Sequence, residues 1–392
     1  MWLFGSGLFL IAYMGINLYT GIRVFSFIKF FLPSFKAFIF WPVYFLFCYS
    51  FVLFSFLQLV WTRPFRMAGM SSIPAVFYFF LALLLFDGLR ILLQHFGCIP
   101  YTQIYSAAGT GIAICLALIT MIYGSCNARS IRTVHYTVSL SKRSEMPHLR
   151  IVLVSDLHIG ETVGRKWVAN IVDAVNRTEP DIICIAGDII DSNLQAISDI
   201  EAVASELRRL NAPLGVYACP GNHDVDRLSL RQTGGTGSGM DGIKAFLEKA
   251  NVVFLLDEIA MPSGSIYLTG RKDARPIGLR QERKSAAKLT AGFDTSKILI
   301  VLDHQPVDYS NLEKAGADLI LSGHTHRGQF FPANIVTKLM FKKAGATHYG
   351  YWQGSTAQAV VSSGAGVWGP PIRVATGSEV AVIDVVFREG GI

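Results

Sequence analysis

Charge is what the first third of this 392-residue chain lacks. Residues 1–127 carry seven charged side chains, Arg23, Lys29, Lys36, Arg63, Arg66, Asp87 and Arg90, and only one of them is acidic. A stretch so poor in charge excludes an ordinary water-solvated surface. In place of charge it holds 20 of the chain's 27 phenylalanines. Cysteine is also scarce. Cys48, Cys98, Cys115 and Cys126 lie in or beside apolar runs, and Cys184 and Cys219 sit in strand-like apolar stretches. They read as buried small hydrophobes rather than a disulfide framework. A basic excess is missing from the remainder as well: 29 Lys and Arg face 27 Asp and Glu, so the overall +7 belongs mostly to the first third. That near-neutral balance argues against a nucleic-acid-binding surface.

Four uncharged runs, 1–22, 37–62, 67–86 and 98–127, are each long enough at about 1.5 Å per residue to cross a hydrocarbon core of about 30 Å. Trp2, Trp41 and Trp61 stand near run ends, as interfacial aromatics do. The expectation is an all-α membrane domain over 1–127, with four transmembrane helices at about 3–22, 38–61, 67–86 and 104–124. No Lys or Arg precedes the first run and no small-x-small cleavage signal comes after it, so it reads as a retained helix. Arg63, Arg66, Arg129, Arg132, Lys142 and Arg143 on one side outnumber Arg23, Lys29 and Lys36 on the other, with or without Arg90 added to them. This places both termini and the soluble domain of a multi-pass protein in the cytosol.

Residues 128–392 change character to short β-rich runs separated by helical segments. Strands are expected at 150–155, 181–186, 214–219, 297–302 and 318–321, with helices at 167–177, 197–210 and 242–250, an alternating α/β pattern. A Gly- and β-rich tail ending at 379–387 suggests a second sheet. The glycine-rich 233–242 lacks the Lys-Ser/Thr that a phosphate-cradling loop needs, and reads as a mobile loop.

The residues at the C-terminal end of each expected strand carry the chemistry: Asp156-Leu-His158, Gly187-Asp188-Ile-Ile-Asp191, Gly221-Asn222-His223-Asp224, Asp303-His304 and Gly323-His324-Thr-His326. Strand C-terminal ends of a layered α/β domain share one rim, so these distant residues converge there. Carboxylates, imidazoles and one amide, without thiolates, suit divalent Mn, Fe or Zn. They are too many for one ion. Two ions about 3.5 to 4 Å apart are the arrangement that clamps both oxygens of a phosphoryl displacement.

These motifs, in this order, resemble the calcineurin-like metallophosphoesterase superfamily, in a membrane-anchored form with N-terminal helices. The resemblance covers about residues 145–330 by motif. It implies a four-layer α/β/β/α sandwich of two sheets. It also implies that Asp156, His158 and His326 bind one metal, that Asn222, His304 and His324 bind the second, and that Asp188 bridges them. His223 would be the acid or phosphate-contacting group, oriented by Asp191 or Asp224. Arg327 departs from the glycine that relatives often carry there, and is a candidate contact for substrate phosphate. Arg271 and Asp273 are lesser rim candidates, and His95, His135, His148 and His348 have no comparable context.

The expected function is a membrane-tethered binuclear-metal phosphoesterase that hydrolyses phosphodiester or pyrophosphate bonds by attack of a metal-bridged hydroxide, on lipid or lipid-linked substrates. Two alternatives stand beside it: a tethered phosphoesterase for soluble nucleotides or small phosphate esters, and a non-catalytic binding scaffold, which would be expected to have lost ligands. The segment 338–343 mixes apolar and basic side chains in a way that suits anionic headgroups or, equally, an ordinary surface helix.

Overall fold

The structure is a computed structural model and describes residues 2–55, 60–100, 102–142, 144–232, 239–275 and 282–387. Most of the glycine-rich 233–242 segment, and Arg143, lie outside them. The chain divides into two units: 1–125 with 369–371, and 126–368 with 372–392.

The first unit is built from helices α1 (Trp2–Phe31), α2 (Ala37–Ser55), α3 (Arg63–His95) and most of α4 (Gln103–Arg129). All four contain a window long and apolar enough to cross a membrane, with mean hydropathy of 1.2 to 2.1. Their large apolar side chains point outward: Ile11, Phe38, Leu85 and Ile122 are each at least 65% exposed. That is the arrangement a lipid solvent favours. The helices run longer than the uncharged stretches suggest, because charged residues are tolerated inside them. Arg23 lies on α1, not in a loop. Its guanidinium meets the Asp87 carboxylate of α3 at 2.9 and 3.0 Å and donates to Thr110 Oγ1 and the Ser106 carbonyl of α4. Tyr19 also donates to Asp87. A charge pair inside an apolar bundle persists only with such full hydrogen bonding, and here it joins three helices.

The second unit carries two six-stranded sheets. The first runs in the order β1 (Ile131–Leu140), β12 (Ser378–Phe387), β2 (His148–Val154), β3 (Ile182–Ala186), β4 (Val216–Cys219), β5 (Val253–Phe254). The second runs β10 (Gly350–Gln353), β11 (Gln358–Val361), β9 (Leu319–Ser322), β8 (Ile298–Leu302), β7 (Ile266–Gly270), β6 (Glu258–Ser263). The helices are α5 (Arg165–Asn176), α6 (Ile200–Leu207), α7 (Arg227–Gln232), α8 (Asp241–Lys249), α9 (Ala286–Leu289), α10 (Tyr309–Lys314) and α11 (Ala333–Lys343).

Alternation along the strands dictates the layers. Val152, Val154, Ile183 and Ile185 face a core shared with α5, α6 and α8. Their neighbours Ile151, Leu153, Ile182 and Cys184 face Ile298, Ile300, Leu319 and Leu321 of the other sheet. Leu299, Val301 and Ile320 then face α9 and α10. The result is the expected α/β/β/α sandwich. β2, β3 and β4 are mutually parallel, as are β7, β8, β9 and β11, so their C-terminal ends share a direction within each sheet.

The last turn of α4 belongs to this unit. Asn127 Nδ2 donates to the carbonyls of Arg373 and Thr376 at 2.9 and 2.7 Å, and Arg129 stacks on Trp167 at 5.3 Å. β1 is not among the strands expected from sequence. It pairs in parallel with β12 along ten residues, half of them exposed, so its polar-rich IRTVHYTVSL shows little apolar periodicity.

Candidate metal centre

Each expected ligand lies just beyond a strand, and the backbone there turns sharply. Asp156, His158, Asp188, His324 and His326 all have φ between 46° and 73°. Left-handed backbone at non-glycine residues costs about 1 kcal/mol apiece, so five instances in one place mark a constrained site. The surrounding hydrogen bonds hold them. Asp156 N donates to Gly187 O at 3.0 Å, and His158 N to Asp188 O at 2.9 Å. His324 N donates to both Asp156 carboxylate oxygens at 3.0 and 3.1 Å. Gly323 is required by close approach: a Cβ there would stand 2.5 Å from Asp156 Oδ2 and from Ser155 Cβ.

Two triads result. Asp156, His158 and His326 bring one ligand atom each within mutual reach, and so do Asp188, His304 and His324. Asp188 links them. Its Oδ2 lies 3.1 Å from His304 Nε2 in its own triad and 3.5 Å from His158 Nε2 in the other. Its Oδ1 accepts from His223 N at 2.8 Å.

The donor set fits divalent cations. His304 Nδ1 lies 2.8 Å from the Ala186 carbonyl, which can only accept. That bond keeps a proton on Nδ1 and turns Nε2, 3.1 Å from Asp188 Oδ2, toward the centre as the atom that would bind an ion once its own proton leaves. Asn222 Oδ1 is likewise buried without a partner. It lies between Gly221, packed against Asp188, and His223, bonded to it. His158 Nε2 and His326 Nε2 approach to 3.0 Å, with ring centroids 5.0 Å apart. Two imidazole nitrogens turned toward one point this closely can share a proton or, once it leaves, a cation.

Without an ion the electrostatics divide these groups: burial raises the Asp156 carboxyl, while against burial the Asp191, Asp188 and Asp156 carboxylates raise His158. Burial opposes charge on His304, but the Asp188, Asp156 and Asp273 carboxylates outweigh it and lift its pKa well above the ordinary value. Burial likewise opposes charge on Asp188, yet His304, His158 and His223 hold its carboxyl well below the usual range. Burial, with His304 adding, brings His324 down to about 3. Burial also lowers His326, with help from His158 and Arg373.

Around the triads, Asp191 Oδ1 sits 3.2 Å from His223 Nδ1 and 3.8 Å from His158 Nδ1. Ser192 Oγ is 3.3 Å from the same His223 nitrogen. Of the two carboxylates considered as orienters of His223, the structure therefore brings Asp191 to the ring. Asp224 does something else. It is fully buried and accepts from the backbone N–H of Ile189, Ile190 and Gly221 at 2.9, 2.9 and 2.7 Å, tying the two motif loops together. The Arg327 guanidinium lies over the Tyr349 ring at 4.2 Å. Asp303 meets two arginines: Arg271 and Arg283 hold its Oδ2 at 2.8 and 2.6 Å. Arg271 is itself buried in that network, and Asp273 accepts from Gln305 at 2.9 and 3.1 Å.

Sequence reasoning missed Ser192 and two residues farther along the chain. Arg373 is fully buried and donates to the carbonyls of His326, Ser363, Gly364 and Gly366. Burial lowers its pKa to about 10. Trp368 lies beside His223 at 6.1 Å between ring centroids. Neither stands at the end of an expected strand, and no motif flags them.

Comparison with known proteins agrees with this geometry. The family model for calcineurin-like phosphoesterase matches residues 149–328. An uncharacterised metallophosphoesterase of Campylobacter jejuni is 28% identical over 278 residues, 70% of this chain and 69% of that protein. One from Helicobacter pylori is 33% identical over 60% of this chain and 59% of its own length. The transmembrane protein with metallophosphoesterase domain of Danio rerio is 32% identical over 70% of this chain and 62% of its own length. The chain thus spans between 59% and 69% of these relatives. Residues 149–328 of this chain belong to the calcineurin-like phosphoesterase family, here joined to four N-terminal helices of membrane-spanning length and apolarity.

Proposed function

We propose that this chain is a membrane-tethered, metal-dependent phosphoesterase that cleaves a phosphodiester or pyrophosphate bond in a lipid or lipid-linked substrate. The observation that carries the reading is Asp188, one of whose oxygens stands within 3.1 to 3.5 Å of histidines from both triads. Asp156, His158 and His326 would hold one divalent ion, and Asn222, His304 and His324 the other, with Asp188 between them. Two such ions supply Lewis-acid charge to the phosphoryl group and a water nucleophile at neutral pH. His223 would donate a proton to the leaving oxygen through Nε2, since Asp191 and Ser192 face Nδ1. Asp191 fixes the ring. The sandwich keeps these groups dry on one side, where their charges interact strongly.

The soluble unit is proposed to lie in the cytosol. With Arg23 paired to Asp87 inside the bundle, Lys29, Lys36 and, near a helix end, Arg90 face Arg63, Arg66, Arg129 and Arg132 on the proposed cytosolic side. Protease access to the second unit in sealed, oriented vesicles tests that placement.

The activity is tested with detergent-purified full chain, stripped by chelator and reloaded with Mn, Fe or Zn, on soluble aryl phosphodiesters and phospholipids. Turnover that returns with an ion supports the reading. No turnover with any ion on any phosphoester would refute it.

A further inference from the structure

Helix α11 wears its apolar side outward. Ile335, Val336, Leu339 and Met340 are 48%, 52%, 61% and 64% exposed, and no residue of the helix is buried. At about 100° per residue, Ile335 and Leu339 form one i,i+4 pair and Val336 and Met340 another, so the four make a single outward stripe. Asn334, Thr337 and Phe341 occupy the opposite face. A surface helix of a water-soluble unit shows the reverse pattern, and a contiguous exposed apolar stripe marks a contact surface.

The charge around the stripe identifies its partner. Lys338 and Lys342 flank it and Lys343 ends it. Asp and Glu are absent from the sequence between Asp318 and Glu379, a span that includes all of α11 and the whole turn leading into it. An apolar face rimmed by lysines alone is the pattern of helices that lie in the headgroup region of anionic membranes.

Its place matters for the chemistry. The turn that leaves His326 runs directly into α11, with Phe331, 41% exposed, just before the helix. Gln329 in that turn clasps the backbone of Trp368 on both sides, donating to its carbonyl at 3.0 Å and accepting from its N–H at 2.9 Å. Trp368 is 56% exposed and borders His223. Tryptophan is the residue most at home at a lipid–water boundary.

We propose that α11, with Trp368, is a docking surface for an anionic lipid bilayer, which presents a phosphoester headgroup to the metal centre. The choice of substrate rests on the phosphoesterase reading above; the docking does not.

The test uses full chain in nanodiscs, of phosphatidylcholine alone or with about 30% phosphatidylserine. A photoreactive benzophenone amino acid is placed at Leu339, with a control at the exposed Ala245 of α8, and adducts are identified by mass. Expected are lipid adducts at 339 at least about five-fold above the control, stronger with phosphatidylserine and reduced in Lys338→Gln/Lys342→Gln/Lys343→Gln. Adducts to a second copy or another protein, or lipid adducts no greater than at 245, overturn the docking. In parallel, Ile335→Glu/Leu339→Glu should lower kcat/KM on nanodisc phospholipid about ten-fold and leave a soluble aryl phosphodiester unchanged. Equal loss on both substrates overturns the link between docking and substrate. Absence of any wild-type hydrolysis refutes the phosphoesterase reading, while the crosslinks still decide the docking.

Discussion

Asp191 Oδ1 and His223 Nδ1 stand 3.2 Å apart, a carboxylate facing the ring to which the proposed mechanism gives the leaving-group proton. An aspartate in this position sets both the tautomer and the direction of the imidazole. Asp191→Asn keeps the shape and removes the charge. It should lower kcat by about ten- to a hundred-fold with KM little changed. Steady-state kinetics on a soluble phosphodiester measure this, and an unchanged kcat would remove Asp191 from the proton-transfer arrangement.

Asp224 is expected to matter for stability instead. Its removal in Asp224→Ala leaves three backbone N–H groups of two buried loops without an acceptor. Losing charge-assisted bonds of this kind costs on the order of 3 kcal/mol or more. A lowered denaturant midpoint of the metal-stripped protein is the readout, so that lost ion binding does not enter the comparison.

Arg373 fixes the backbone around His326 by donating in several directions at once. Lysine retains charge but cannot reproduce a planar fork. Arg373→Lys should therefore weaken metal retention about ten-fold or more, through His326 rather than through charge. Metal content after graded dialysis against chelator checks this, and full retention would assign Arg373 to folding alone.

Metal binding should expel protons. Without an ion, the carboxylates around His304 raise its pKa well above about 6.5, so the ring is charged through neutral pH. An ion requires the neutral ring, so apparent affinity should rise with pH across this range. The sign for the stripped protein is opposite. A raised folded-state pKa contributes stability that is complete below the unfolded value and is lost as pH rises through the folded one. Titration calorimetry in buffers of different ionisation heats reads the proton release directly, and its absence between pH 6 and about 8 would contradict the assignment of His304 as a ligand.

The strand-end motifs are legible in sequence because each couples an apolar run to a fixed turn. Strands expected at 181–186 and 297–302 appear as Ile182–Ala186 and Ile298–Leu302. The helix expected at 242–250 appears as Asp241–Lys249. Pattern fails where tertiary pairing overrides it. β1 is half exposed and owes its extended form to β12, about 250 residues later. Asp191 and Asp224 look alike in sequence, and only the fold sends one to an imidazole and the other to backbone amides. Arg23 reads as a loop cation in sequence because its partner, Asp87, lies two helices away. Arg373 has no local signature, since its partners are carbonyls that the fold alone brings together.

The central claim, that Asp188 joins two metal sites while His223 serves the chemistry, is tested most directly by elemental analysis of purified Asp188→Ala and His223→Ala beside wild type. Expected are about two ions per chain in wild type and in His223→Ala, with turnover falling about a hundred-fold in the latter, and loss of both ions in Asp188→Ala. Equal metal loss in the two variants, or full metal content in Asp188→Ala, would contradict it.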